Sequence, residues 1–182
     1  MNNLPNILSV SRIILIFPVL YLINNEKESL ACLIFAFAAL TDTFDGYLAR
    51  KYTITSPLGA LLDLVADKLL VSSVLIFLVT MELSVDITIP SILIISREII
   101  ISSLRQFLAE NQLKIIKASV VGKLKTITQF IAIGGLIFGI DSPLLSTIFY
   151  YLLWLSALMS IISLFLYVKE SLINRSNLIN LK

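Results

Sequence analysis

The chain has 182 residues, of which 58% are hydrophobic and only 14% charged, with a formal net charge of +2. A soluble domain carries about 25% charged residues, so this composition and a mean hydropathy of +0.96 argue against a water-soluble fold and for helices crossing a ~30 Å hydrocarbon core. Histidine is absent and Cys32 is the single cysteine, which excludes an imidazole base, a Ser-His-Asp triad, a Cys/His zinc site and an intrachain disulfide.

Any chemistry must therefore run on carboxylates, hydroxyls, lysine and arginine. Hydropathy predicts six spans, Ile7–Ile23, Ser29–Arg50, Pro57–Thr80, Ile87–Leu108, Val121–Ile140 and Leu144–Val168. The expected fold class is an all-α polytopic membrane protein forming a single domain over residues 1–182. The N-terminus has no basic region and no small-residue cleavage site, so no removable signal peptide is expected.

Charge sets the predicted orientation. The first connection, "NNEKES", and the third, "MELSVD", are net negative, and the fifth carries only Asp141. Arg50 and Lys51 follow the second span, Arg105, Lys114, Lys117, Lys123 and Lys125 surround the fourth connection, and Lys169, Arg175 and Lys182 lie in the tail. Lysine and arginine thus gather on one side, which the positive-inside rule makes cytoplasmic, with both termini there. That face would meet anionic headgroups; no nucleic-acid partner is expected.

In the first span, Arg12 stands in an apolar helix, positioned to snorkel to the surface or to touch a phosphate. The second and third spans hold the chain's most unusual feature, "TDTFDGYLARKYTITSPLGALLDLVADK". Asp42 and Asp45 are three residues apart, and Asp63 and Asp67 four, so each pair shares a helical face. Ser56–Pro57 reads as an N-cap followed by a first helical residue. The two spans then form an antiparallel hairpin, with Asp45 and Asp63 each roughly 7–9 Å in from the turn at ~1.5 Å per residue.

Four carboxylates converging near lipid would repel one another and be costly to desolvate. A divalent cation offsets that cost, and an all-oxygen donor set selects a hard ion, Mg²⁺ first, with Mn²⁺ or Ca²⁺ as alternatives. Four aspartates suffice for two ions ~3.5–4 Å apart, a geometry suited to phosphoryl displacement. Gly46, Ala49 and Gly59 leave room on the carboxylate faces, and Arg50 and Lys68 bracket them with positive charge suited to phosphate.

In the fourth span, Glu98, Ser102 and Arg105 fall on one face, with Arg97 beside them. Lys123 and Lys125 open the fifth. These groups suit an anionic second substrate, with Glu98 expected to pair with one of the arginines; Lys114 and Lys117 read as ordinary headgroup contacts.

The stretch from Asp42 to Asp67 spells D-x2-D-G-x2-A-R-x8-G-x3-D-x3-D, which resembles the signature of the CDP-alcohol phosphatidyltransferases at every fixed position. The resemblance implies a six-helix membrane enzyme, often homodimeric, that displaces CMP from a CDP-linked lipid with an alcohol. It implies Asp42, Asp45 and Asp63 as metal ligands, and Asp67 as general base and partial ligand. Asp42, Gly46, Ala49, Arg50 and Gly59 would line the CDP site, with Asn6 and Ser9 touching the nucleotide.

"NLPNILSVSRIILI", "ISREIIISSLRQFLAE" and "VVGKLKTITQ" resemble the branch of the family that forms phosphatidylglycerophosphate. The implied substrates are CDP-diacylglycerol and glycerol 3-phosphate, the latter held by Arg97, Arg105, Lys123 and Lys125. The implied place is the cell membrane, with the site facing the cytoplasm. One position departs from the pattern: the residue after the third aspartate is often proline and here is Leu64.

Three rivals stand beside this reading. A sibling enzyme would use inositol phosphate, serine or a phospholipid as acceptor. A cation transporter would need polar groups through the outer half of the membrane, where "LLVSSVLIFLV" and "LACLIFAFA" offer only small hydroxyls. A purely structural subunit leaves four close carboxylates without a purpose.

Overall fold

A computed structural model of the chain describes the backbone of residues 4–52, 57–110, 120–140 and 142–179, and the side chains of 7–41, 59, 61–110, 122–140 and 142–171. Every described element is helical: α1 (Leu4–Asn24), α2 (Glu28–Tyr52), α3 (Pro57–Met81), α4 (Val85–Glu110), α5 (Val120–Phe138) and α6 (Pro143–Ile179). Each predicted span coincides with one helix. Among the described residues, Ile7–Asn24, Leu61–Met81, Val85–Glu110 and Pro143–Ser171 are long and apolar enough to cross a membrane, and Glu28–Thr41 is a shorter apolar helix.

The last helix runs further than its hydropathy predicts. At 37 residues and ~1.5 Å per residue it exceeds the ~30 Å apolar core, so its basic end continues past Val168. Pro57 and Pro143 stand at the first positions of α3 and α6, where a missing N–H is harmless. Leu64 leaves α3 without an internal proline, and the helix is continuous through it.

Helix contacts close a ring in the order α1–α2–α5–α6–α4–α3 and back to α1. Among the described residues α1 packs along both α2 and α3; the turn of the predicted α2–α3 hairpin and most side chains beside it lie outside the described residues. The main apolar cluster includes Val19, Phe35, Val74, Ile94, Ile133 and Leu153, all at most 1% exposed, and a smaller one gathers Ile101, Leu108 and Tyr167. Large apolar side chains such as Phe17, Tyr151 and Phe165 point outward, as a lipid-facing surface requires.

Two local features set helix spacing. Gly135 lies under the ring of Phe149, where a Cβ would approach within 2.1 Å, so α5 and α6 meet closely only because no side chain intervenes. The turn after α1 closes with Lys27 N–H on the Leu22 carbonyl (2.9 Å) and Glu26 N–H on the Ile23 carbonyl (3.1 Å). That is a Schellman closure, and Glu26 holds its left-handed position at φ 56°.

Candidate functional site

The helix ring opens into a cavity of about 650 Å³ between α3, α4, α5 and α6. Asp67 and Lys68 enter from α3, Arg97, Glu98 and Arg105 from α4, Lys123, Lys125 and Gln129 from α5, and Ser163, Tyr167, Lys169 and Glu170 from α6. Six cations (Lys68, Arg97, Arg105, Lys123, Lys125, Lys169) face three anions (Asp67, Glu98, Glu170), an excess of three positive charges. Low-dielectric walls concentrate such a field on an anionic ligand.

Glu98 organises the deep part. Its Oε1 takes Arg97 Nη1 at 3.0 Å and pairs with the ammonium of Lys125. Its backbone carbonyl accepts from Ser102 Oγ at 2.8 Å and from Lys68 Nζ at 3.3 Å. Arg97 Nη2 also donates to Ser163 Oγ at 2.9 Å. Both α4 and α6 thereby hold Arg97 in place, and Lys125, 3% exposed, is fixed by its carboxylate partner. Near the mouth, the Arg105 guanidinium lies over the Tyr167 ring, 5.6 Å from its centroid, a cation–π geometry.

Helix periodicity explains the convergence. Arg97, Glu98, Ile101 and Arg105 recur at three- and four-residue steps along α4, as do Gly122, Lys125, Thr126 and Gln129 along α5. The four cations predicted to hold an acceptor, Arg97, Arg105, Lys123 and Lys125, therefore line one cavity together with Asp67. Glu98 pairs with Arg97, as the sequence led one to expect, and with Lys125, which it did not.

On the neighbouring face of α3, one turn before Asp67, the carboxylate of Asp63 pairs with the guanidinium of Arg12. Arg12 is wholly buried and its Nη2 donates to Ser9 Oγ at 3.4 Å. Arg12 therefore neither snorkels nor faces solvent. Gly59 is buried one turn before Asp63, and Ser9, 2% exposed, sits beside Arg12.

Asp42, Asp45, Gly46, Ala49 and Arg50 belong to the helical backbone of α2, and Asn6 to that of α1, but their side chains lie outside the described residues. So do Lys114, Lys117 and the connection 53–56. Among the described residues no three His, Cys, Asp or Glu side chains converge on a metal position. What is described of the aspartate set fits a hard cation. Asp63 is anchored through one oxygen while its side chain stays 47% exposed, and a guanidinium on a ligating carboxylate is a common outer-shell support.

Sequence reasoning passed over three residues of this region and the partner of a fourth, Arg12. Gln129, Ser163 and Tyr167 are ordinary polar groups in apolar spans, visible as site residues only once α4, α5 and α6 are packed. Arg12 did carry a signal, since an ionisable residue inside a membrane helix implies a partner.

The family model described as CDP-alcohol phosphatidyltransferase matches residues 2–162. Named relatives cover nearly the whole chain. A CDP-diacylglycerol–glycerol-3-phosphate 3-phosphatidyltransferase of Rickettsia typhi is 40% identical over 180 residues, covering 93% of this chain and 97% of the relative. One of Haemophilus influenzae is 41% identical over 172 residues, 92% of each. One of Yersinia pestis is 38% identical over 173 residues, 93% of this chain and 94% of the relative.

Proposed function

The chain belongs to the CDP-alcohol phosphatidyltransferase family, and from that premise we propose that it moves the phosphatidyl group of CDP-diacylglycerol to glycerol 3-phosphate. The products are CMP and phosphatidylglycerophosphate. The observation that carries the acceptor side is the cavity joining Asp67 to Arg97, Arg105, Lys123 and Lys125. An uncharged alcohol has no use for three excess positive charges, whereas a phosphomonoester does.

In this reading the acceptor's phosphate rests among the cavity cations and its primary hydroxyl lies at Asp67. The carboxylate takes the hydroxyl proton as the oxygen bonds to the phosphorus bearing the lipid, and the bond from that phosphorus to CMP breaks. Arg97 and Lys125, preset by Glu98, need no rearrangement when the substrate arrives, which is the preorganisation that favours the transition state. Lys68 lies beside Asp67 and adds positive charge near the reacting phosphorus.

Enzymes of this family are generally divalent-metal dependent. The oxygens of Asp42, Asp45, Asp63 and Asp67 would hold one or two such ions, Mg²⁺ first and Mn²⁺ second, which when bound neutralise the diphosphate and the departing CMP. The nucleotide would lie against Gly46, Ala49, Arg50 and Gly59, within reach of Asn6 and Ser9. Residues 1–182 act as one membrane domain in the cell membrane, with termini and cavity on the cytoplasmic side, by the distribution of lysine and arginine. We propose a homodimer as the working form.

The deciding experiment supplies purified protein with CDP-diacylglycerol and Mg²⁺, adds each candidate acceptor, and follows CMP. Glycerol 3-phosphate is expected to support release, and chelation to stop it. Release with serine or inositol phosphate but not with glycerol 3-phosphate would reassign the acceptor. Cation flux into proteoliposomes without CMP release would point to a transporter.

A further inference from the structure

Gln129 is 3% exposed, lines the cavity, and its Oε1 has no hydrogen-bond partner among the described residues. Buried polar atoms are nearly always paired, and an orphaned amide oxygen is destabilising. The group is therefore placed for something that is not part of the fold.

Its position narrows the choice. Gln129 follows Lys125 by four residues, on the same face of α5 and one turn further from the cytoplasmic end. At that depth Arg97 and Lys125 are both engaged by Glu98, which leaves a single net positive charge among the three. Arg105, stacked on Tyr167, and Lys123, exposed nearer the mouth, make no ion pair among the described residues. A phosphate is drawn to those two, and the neutral remainder of the acceptor reaches toward Gln129. A carbonyl oxygen repels phosphate oxygens and accepts from a hydroxyl. Should the amide be turned, its NH₂ donates to the same hydroxyl oxygen, so the pairing survives either orientation.

We propose that Gln129 is a specificity-determining residue whose amide binds the acceptor hydroxyl that neither carries the phosphate nor attacks. This rests on the proposed acceptor: in a three-carbon phosphomonoester with two hydroxyls, one is placed at Asp67 and the other is left for Gln129. A site built around such a hydrogen bond discriminates strongly against an analogue lacking the hydroxyl, because the buried amide is then stranded.

The test compares kcat/KM for glycerol 3-phosphate and for 3-hydroxypropyl phosphate, which keeps the phosphate and the primary hydroxyl but lacks the middle one. Both are measured on the same full-length preparation with CDP-diacylglycerol and Mg²⁺, so the ratio is independent of the fraction correctly folded. The wild type is expected to prefer glycerol 3-phosphate by roughly 10–100-fold. Gln129→Leu should reduce the preference to within about threefold, and Gln129→Glu, which still accepts a hydrogen bond, should keep most of it. Gln129→Met, near in shape and without the amide, gives the same reading should the leucine variant not accumulate. A wild type indifferent to the missing hydroxyl, or leucine and methionine variants with the full wild-type preference, would overturn the assignment while leaving the acceptor's identity intact. No CMP release by the wild type from either phosphate would overturn the acceptor reading and Gln129 with it.

Discussion

The guanidinium of Arg12, enclosed entirely within the helix ring, rests on the carboxylate of Asp63, one turn of α3 before Asp67. The pair ties the first helix to the carboxylate face of the third. Arg12→Ala removes a buried cation and its volume. Stability should fall by on the order of 2–4 kcal/mol, less than for a fully buried pair because Asp63 is half exposed. Arg12→Lys should recover only part, since an ammonium lacks the planar fork. Thermal unfolding in one detergent checks both; equal midpoints for wild type and Arg12→Ala would show that the pair contributes nothing.

The two described aspartates of α3 should differ in kind. Asp67→Asn is expected to abolish turnover while CDP binding is largely kept, because the amide cannot take the hydroxyl proton. Asp63→Asn should weaken both, because it removes an ionic oxygen from the proposed cation site. Calorimetric CDP titration beside single-turnover assays makes the comparison, and equal binding losses in both variants would dissolve this division of labour.

Arg105 should act on the acceptor alone. Its replacement by alanine is expected to raise the KM for glycerol 3-phosphate by about tenfold or more, the value of a charge-assisted contact of ~1.5–3 kcal/mol, with the KM for CDP-diacylglycerol unchanged. Lysine should restore little, because the stacked geometry over Tyr167 depends on a planar cation. A rise in both KM values would place Arg105 elsewhere.

Gly135→Ala tests the α5–α6 contact away from the chemistry. The new methyl would press on the Phe149 ring, and overpacking of this kind costs about 1–3 kcal/mol. Adding Phe149→Leu should relieve much of the loss. Unfolding midpoints that do not differ between Gly135→Ala and wild type would mean the ring moves aside freely.

At the turn after α1, Glu26→Gly should be stabilising by about 1 kcal/mol, since glycine takes the left-handed conformation without a Cβ penalty. A midpoint lower than wild type would indicate that the Glu26 side chain contributes something the turn geometry does not require.

Much of this molecule is legible in one dimension. Apolar runs of the right length mark the helices, because in a bilayer a spanning helix must satisfy its own backbone within one segment. The stretch from Asp42 to Asp67 marks the family by its resemblance to the family signature, and its spacing places each aspartate pair on one helical face. Arg97, Arg105, Lys123 and Lys125 could be named for the same reason, as charges repeated along two helices.

What sequence spacing does not carry is which helices become neighbours. That α1 packs on both α2 and α3 is not written in the spacing of any one helix. The pairing of Arg12 with Asp63 bridges 51 residues of chain. Glu98 as the shared partner of Arg97 and Lys125, Tyr167 beneath Arg105, and Gln129 with an unpartnered oxygen inside a cavity are likewise products of packing. Periodicity along a chain determines the face on which a side chain stands; only close packing between helices, a cooperative property of the whole ring, determines what that face meets.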